Sequence, residues 1–302
     1  MKGFTTIAAA LTLAAGLSTG GPGAARAADL QRVDLPDGRY YLVAVPRGVR
    51  TPPAVVGLHG GGGNPAQFAQ ASGLADAALR RGYAVVLPAG TAGRAGGRLL
   101  VWNGFYCCGH APADGVDDVG FLDRVIADAT RRFTLDPDRV FMTGMSNGGI
   151  MTETYAALRP GTLRAAASVA GPFDALHIVP KGPVPVLHMH GTADDHVPYE
   201  GGRGEKSYVQ TDFAPVSAVV EAFRRAARQP LTETRTTIDP ADDGMTTLRT
   251  TWAGPGGRPQ VVLYTIEGGG HVWPGGPKGS RKGATRDVSA NAAVLDFFAA
   301  WR

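Results

Sequence analysis

Arg139-Val-Phe-Met-Thr-Gly-Met-Ser-Asn-Gly-Gly-Ile-Met-Thr-Glu-Thr-Tyr-Ala-Ala-Leu158 is the stretch on which the reading of this chain turns. The apolar run 139–143 predicts a buried strand, and 147–158 predicts a helix that leaves it directly. Between them Gly144-Met145-Ser146-Asn147-Gly148 is a G-x-S-x-G element in the strand-to-helix context that this motif requires. A serine on so sharp a turn needs neighbours two residues either side that lack a Cβ. The same turn lifts Oγ off the sheet and sets it at a helix N-terminus, where developing negative charge is favoured. Ser146 is therefore the expected nucleophile. The expected fold is that of an α/β-hydrolase: one domain with a mostly parallel central sheet and helices on both faces.

Outward from this turn, short apolar runs alternate with helical patterns, the signature of βαβ units. Strands are expected at 40–44, 54–58, 84–87, 165–169 and 184–189, and helices at 68–81, 116–133, 216–227 and 289–301. Residues 246–252 and 260–266 read as an antiparallel pair around the Gly254-Pro-Gly-Gly257 turn. In the helix at 116–133, Val119, Leu122, Val125, Ile126 and Ala129 share one face. No internal repeat, charge block or Ser/Thr/Pro-rich linker interrupts the order.

In such folds the acid and the histidine follow the serine in chain order. The strand at 184–189 runs into His190-Gly-Thr-Ala-Asp194-Asp195, which places Asp194 at a strand's carboxyl end, where sites collect in open α/β sheets. Asp194 is the expected acid, with Asp195 a solvated loop residue or substrate contact. His271, in Gly268-Gly-Gly-His271-Val-Trp273 after the last strand, is the expected base. His271 would take the Ser146 proton and return it to the leaving alcohol, while Asp194 orients the ring. Backbone amides of Asn147 and of Gly61, in His59-Gly-Gly-Gly-Gly63, are the expected oxyanion donors. No Gly-Lys-Ser/Thr follows those glycines, so a phosphate cradle is discounted. Trp273 and Trp102 are expected to line the substrate pocket, plain core packing being the alternative for each. Asp117 and Asp118 fall in a helix's first turn and read as structural. His188 and His190 alternate along a strand, face the same side, and read as packed, hydrogen-bonded core residues. No carboxylate set beside them supports a metal site, and no cofactor is expected.

At the N-terminus, Lys2 precedes the apolar run Ile7 to Leu17, and Ala25-Arg26-Ala27 fits a signal-peptidase site. The apolar run is far shorter than the roughly 20 residues of a membrane span, and no cysteine follows it to take a lipid anchor. Residues 1–27 are thus expected to be removed on export, leaving 28–302 as the catalytic domain. Of the 30 basic and 26 acidic side chains, Lys2 and Arg26 lie in that leader, so the remainder is balanced at +2. That small charge, with no Lys/Arg run, excludes nucleic acid as an expected partner. Cys107 and Cys108 are the chain's 2 cysteines. In an oxidising compartment they could form a vicinal disulfide, the alternative being two free buried thiols.

Taken together, His-Gly-Gly-Gly-Gly-Asn at 59–64, Trp102-Asn103, Cys-Cys-Gly at 107–109 and Val-Asp-Asp-Val-Gly-Phe at 116–121 resemble a known family. The serine turn, His-Gly-Thr-Ala-Asp194 and Gly-Gly-Gly-His271-Val-Trp-Pro-Gly-Gly276 extend the likeness along nearly the whole chain. The family is that of exported polyhydroxybutyrate depolymerases and feruloyl esterases, which also holds acetyl xylan esterases. The resemblance implies a secreted serine esterase acting on hydroxybutyrate oligomers or on feruloyl or acetyl polysaccharide esters, with nucleophile, acid and base falling on Ser146, Asp194 and His271. Members that act on solid polymer usually carry a linker and a binding module, and neither is seen here, which favours soluble or oligomeric esters. Acyl transfer to a bound alcohol, and a non-catalytic polymer- or wall-binding role, are the other readings of the chain.

Overall fold

A computed structural model describes residues 30–92, 99–277 and 283–302. The expected leader at 1–27 lies outside the described residues. In chain order the strands are β1 (Gln31–Asp34), β2 (Tyr40–Ala44), β3 (Ala54–Leu58), β4 (Ala84–Pro88), β5 (Thr91–Ala92), β6 (Leu100–Val101), β7 (Val140–Met145), β8 (Ala165–Val169), β9 (Val186–Gly191), β10 (Thr232–Ile238), β11 (Thr246–Ala253) and β12 (Pro259–Glu267). The helices are α1 (Pro65–Ser72), α2 (Leu74–Arg80), α3 (Asp118–Phe133), α4 (Asn147–Leu158), α5 (Val216–Ala226) and α6 (Ala290–Ala299).

Ten strands form one sheet in the order β1-β2-β4-β3-β7-β8-β9-β12-β11-β10. The run from β4 to β12 is parallel, and antiparallel strands close both edges. β3, β4, β8 and β9 are buried at every position. This is why they read as continuous apolar runs: helices cover both faces of a parallel sheet. Side chains still alternate between faces. Val56, Val86, Met142, Ala166 and Val186 point into a core shared with α3, α4 and α5. Val55, Val85, Phe141, Ala167 and Leu187 point into a second core with α1, α2 and α6.

The antiparallel pair expected at 246–252 and 260–266 is present as β11 and β12, and β12 also pairs with β9, so the hairpin extends the main sheet. One expectation needs correction. The helix read over 68–81 is two helices, broken at Gly73, whose φ of 65° is left-handed. Gly73 caps α1 by donating its N–H to Ala69 O, an arrangement glycine adopts without a Cβ penalty. A Cβ there would also sit 2.9 Å from Pro277. Among the described residues no helix is long and apolar enough to cross a membrane.

Candidate active site

β7 lies in the middle of the sheet, and Ser146 stands at its end with φ 56° and ψ −126°. The close approach around it explains the glycines. A Cβ on Gly144 would run into the Gly148 carbonyl, and one on Gly148 into the backbone of Leu58 and His59. Ser146 N–H is tied to Val169 O at 2.9 Å, and Ser146 O receives Ile150 N–H at 2.8 Å, the first bond of α4. The turn is thus held from both sides in a region that side chains rarely adopt.

Two further loops converge on it. β9 ends at Gly191, packed so closely on Gly269 that no Cβ would fit between them. Ala193 N–H and Thr192 N–H donate to Gly269 O and Ile266 O, both at 2.9 Å. This ties the loop after β9 to the loop after β12 and fixes Asp194 against His271. His271 Nδ1–H donates to Asp194 Oδ2 at 2.7 Å, and Ser146 Oγ–H donates to His271 Nε2 at 2.9 Å. Residues 125 and 77 positions apart in sequence therefore form one hydrogen-bonded chain. Asp194 Oδ1 accepts the N–H groups of His196 and Val197, each at 2.9 Å. Burial by itself would raise the Asp194 carboxyl; hydrogen bonds from His190 and His271 outweigh it and hold the group well below the usual carboxylate range. Asp195, by contrast, points outward to His196 Nδ1 and Lys206.

The Gly-rich loop after β3 runs past the serine. An ideal Cβ on Gly60 would lie 3.6 Å from Ser146 Cβ, and one on Gly61 3.5 Å from Asn147 Cβ. Asn147 opens α4, where a backbone N–H has no partner within the helix. Its side chain is buried and clamps Trp102: Oδ1 accepts Trp102 N–H at 2.7 Å and Nδ2 donates to Trp102 O at 2.9 Å. The Trp102 indole N–H in turn donates to His59 O at 2.9 Å.

His59 holds the other side of that loop. Its Nδ1–H donates to Gly60 O at 2.8 Å, and its Nε2 accepts Gly90 N–H at 3.0 Å. With one nitrogen committed to each role the ring is neutral, since a proton on Nε2 would face the Gly90 donor. Burial pushes its pKa down to about 4. As pH falls from about 6.5, the ordinary histidine value, toward 4, the unfolded chain takes up this proton and the folded chain does not, so stability drops. At about 1.4 kcal/mol for each pH unit between the two values, the expected loss is on the order of 3 kcal/mol. Urea unfolding at pH 7 and pH 4.5 checks it: the drop attributable to this residue is the part that disappears in His59→Gln, and an unchanged drop would refute it.

The two tryptophans correct an expectation. Trp102 is 0% exposed and lies between His59 and Phe121, so it braces the Gly-rich loop from behind and offers no surface to a substrate. Trp273 is buried too, edge-on to Phe68 with its N–H on Asn291 Oδ1. Both are core side chains, consistent with their size and their need for an N–H partner. The groups open to a ligand are others. The His196 ring stacks on His271 at 5.0 Å, and Tyr208, 97% exposed, stands 6.2 Å beyond His196. Exposed Leu99 lies beside Gly62. Cys107 and Cys108 are joined to each other, and buried Cys107 packs with Ile150, Val197 and Phe213 behind the first turn of α4. Asp117 caps α3 through Gly120 N–H, and Asp118 is buried against Arg39 and Asn103 N–H.

Sequence reading also missed a buried carboxylate. Glu153 lies on α4, about two turns beyond Ser146, with its Oε1 2.7 Å from His188 Nδ1. The one signal for it was an acid in an otherwise apolar and small helix.

Comparison with known proteins places this chain among esterases. Residues 39–174 match the family described as "Esterase PHB depolymerase". "Putative esterase NocK" of Nocardia uniformis subsp. tsuyamanensis is 33% identical over 281 residues, covering 85% of this chain and 78% of that one. Feruloyl esterase B of Piromyces equi is 30% identical over 251 residues, 80% of this chain but 44% of that protein, so the chain spans less than half of its length. Among solved structures, the acetyl xylan esterase from Aspergillus awamori matches with a TM-score of 0.57 at 16% identity, over 90% of this chain and 99% of that one. At that identity the likeness speaks for the α/β-hydrolase fold alone.

Proposed function

The chain belongs to the PHB depolymerase family of esterases, and from that premise we propose that it cleaves carboxylic esters through an acyl-enzyme on Ser146. The observation that carries this reading is the unbroken chain Ser146 Oγ, His271, Asp194, with bonds of 2.9 and 2.7 Å. His271 Nε2 takes the Oγ proton as Oγ bonds to the ester carbonyl carbon. The amides of Asn147 and Gly61 receive the resulting oxyanion. As the tetrahedral centre collapses, His271 returns the proton to the departing alkoxide, leaving the acyl group on Oγ. Water then repeats the sequence, giving up its proton to His271 and releasing the acid.

The substrates proposed are hydroxybutyrate oligomers or feruloyl and acetyl polysaccharide esters. Support comes from the family and from the relatives named as feruloyl and acetylxylan esterases. Leu99, His196 and Tyr208 would meet the substrate's apolar or aromatic part. We further propose that residues 1–27 direct export and are removed, and that 28–302 works as one catalytic domain without a cofactor.

A panel of p-nitrophenyl acetate and butyrate, methyl ferulate, acetylated xylan and hydroxybutyrate oligomers tests the reading. It is run beside fluorophosphonate labelling and peptide mass spectrometry. The expected result is ester turnover, with the phosphonyl group on the peptide bearing Ser146. Inactivity toward every ester, or a label elsewhere, would overturn it.

A further inference from the structure

The hydrogen-bonded chain does not stop at Asp194. Behind it, on the face of β9 that meets α4, His188 and His190 stack at 5.3 Å. His188 Nδ1 lies 2.7 Å from Glu153 Oε1, His188 Nε2 lies 3.0 Å from His190 Nδ1, and His190 Nε2 lies 2.8 Å from Val197 O. The His190 Nε2 atom is also 3.3 Å from Asp194 Oδ2. The other Glu153 oxygen accepts Phe173 N–H at 3.1 Å. All three side chains are at most 1% exposed.

Counting protons decides the charge of this group. A carbonyl oxygen only accepts, so His190 carries a proton on Nε2. The two remaining links, Glu153 to His188 and His188 to His190, need one proton each. Two protons in total would leave a link with lone pair facing lone pair, and four would put two hydrogens in one link; both are costly where water cannot help. Three protons on one carboxyl and two imidazoles give net charge zero. This holds whether they sit as acid and two neutral rings or as carboxylate, imidazolium and neutral ring.

We propose that Glu153, His188 and His190 are positioning residues for Asp194: a buried chain, filled with three protons and without net charge, whose His190 end fixes the catalytic acid. Two contacts do this. His190 Nε2–H holds the carbonyl of Val197, the residue whose amide sits on Asp194 Oδ1, and the same N–H faces Asp194 Oδ2. A net-neutral chain also leaves the His271 imidazolium, formed in turnover, as the charge that Asp194 answers. The inference rests on the triad reading above.

Two measurements on the full chain test it. The first does not depend on activity: ¹⁵N shifts of labelled histidines, assigned with His→Gln variants. Asp194 and Tyr199 face the His190 end of the trio, and Tyr106 the Glu153 end. At pH 7 we expect a hydrogen on His190 Nε2 and one hydrogen in the link between His188 Nε2 and His190 Nδ1; a bare His190 Nε2, or a link whose two nitrogens both lack a hydrogen, would overturn the count. The second compares Glu153→Gln with Glu153→Leu. Glutamine can accept Phe173 N–H through its oxygen and donate to His188 Nδ1 through its amide, keeping the filled, neutral chain. We expect kcat within about 3-fold of wild type for Gln. For Leu we expect a fall of roughly 10–100-fold in kcat with KM little changed, the usual scale for residues that orient a catalytic group. A folded Gln variant as impaired as Leu, or a Leu variant as active as wild type, would overturn the proposal. Failure of the triad reading would show separately, as turnover surviving Ser146→Ala, and would leave the proton count to stand or fall on the ¹⁵N data.

Discussion

Ser146→Ala is expected to lower kcat by roughly 10⁴–10⁶, the range seen when the nucleophile of a hydrogen-bonded triad is removed and the oxyanion site remains. The fold should survive, because the serine hydroxyl makes no bond that the core relies on: its partner is His271. Stability offers a second, sharper reading at the same position. Ser146 holds φ 56° and ψ −126°, a conformation costing about 1–3 kcal/mol for a residue with a Cβ. Alanine keeps that cost. Glycine relieves it but adds about 0.5–1 kcal/mol of unfolded-state entropy, leaving a net gain near 1 kcal/mol. The expected order of urea midpoints is therefore Gly above Ala and wild type, with both variants inactive. A glycine variant less stable than wild type would show that the elbow is not strained, and an active alanine variant would remove Ser146 from the chemistry.

Much of this was legible in the sequence because the decisive interactions are local or periodic. The parallel strands announce themselves as apolar runs since both faces are covered, and the serine turn announces itself by glycines that the backbone needs. Other features were hidden for physical reasons. β10, Thr-Glu-Thr-Arg-Thr-Thr-Ile, is exposed along nearly its whole length at the sheet's edge, so it has no apolar alternation to betray it. A helical pattern continues across Gly73, because a break that turns the chain by one residue leaves the apolar spacing nearly intact. The tryptophans misled because position beside the Gly-rich or His271 loop does not say which way an indole points; their N–H partners, His59 O and Asn291, lie inward. Glu153 and His188 are 35 residues apart, and no local pattern links them. Their meeting depends on α4 packing across β8 onto β9.

Asp194→Asn should be nearly as damaging as loss of the serine, with kcat down about 10⁴, for a reason the surroundings make specific. Donors alone surround this carboxylate: the amides of His196 and Val197 on Oδ1, and His271 Nδ1–H with His190 Nε2–H facing Oδ2. Asparagine has one oxygen for four donors. If its amide nitrogen faced the two backbone amides, those could not adapt and the 194–197 turn would be forced apart. If it faces His271, the ring can change tautomer, so this orientation wins. His271 then carries its proton on Nε2 and can no longer accept from Ser146. Stability should fall by roughly 1–3 kcal/mol at pH 7, the cost of donors left unmatched. The Asp194 carboxyl is held below its ordinary value in the fold, so its contribution is complete above about pH 4 and is lost as pH falls further. The gap between wild type and Asp194→Asn should accordingly narrow in acid. Asp195→Asn is the control: its side chain is occupied by His196 and Lys206 at the surface, and kcat should stay within about 3-fold. The reverse pattern, with Asp195→Asn inactive and Asp194→Asn active, would move the acid one residue along the chain and leave the buried trio behind Asp194 with no catalytic acid to position.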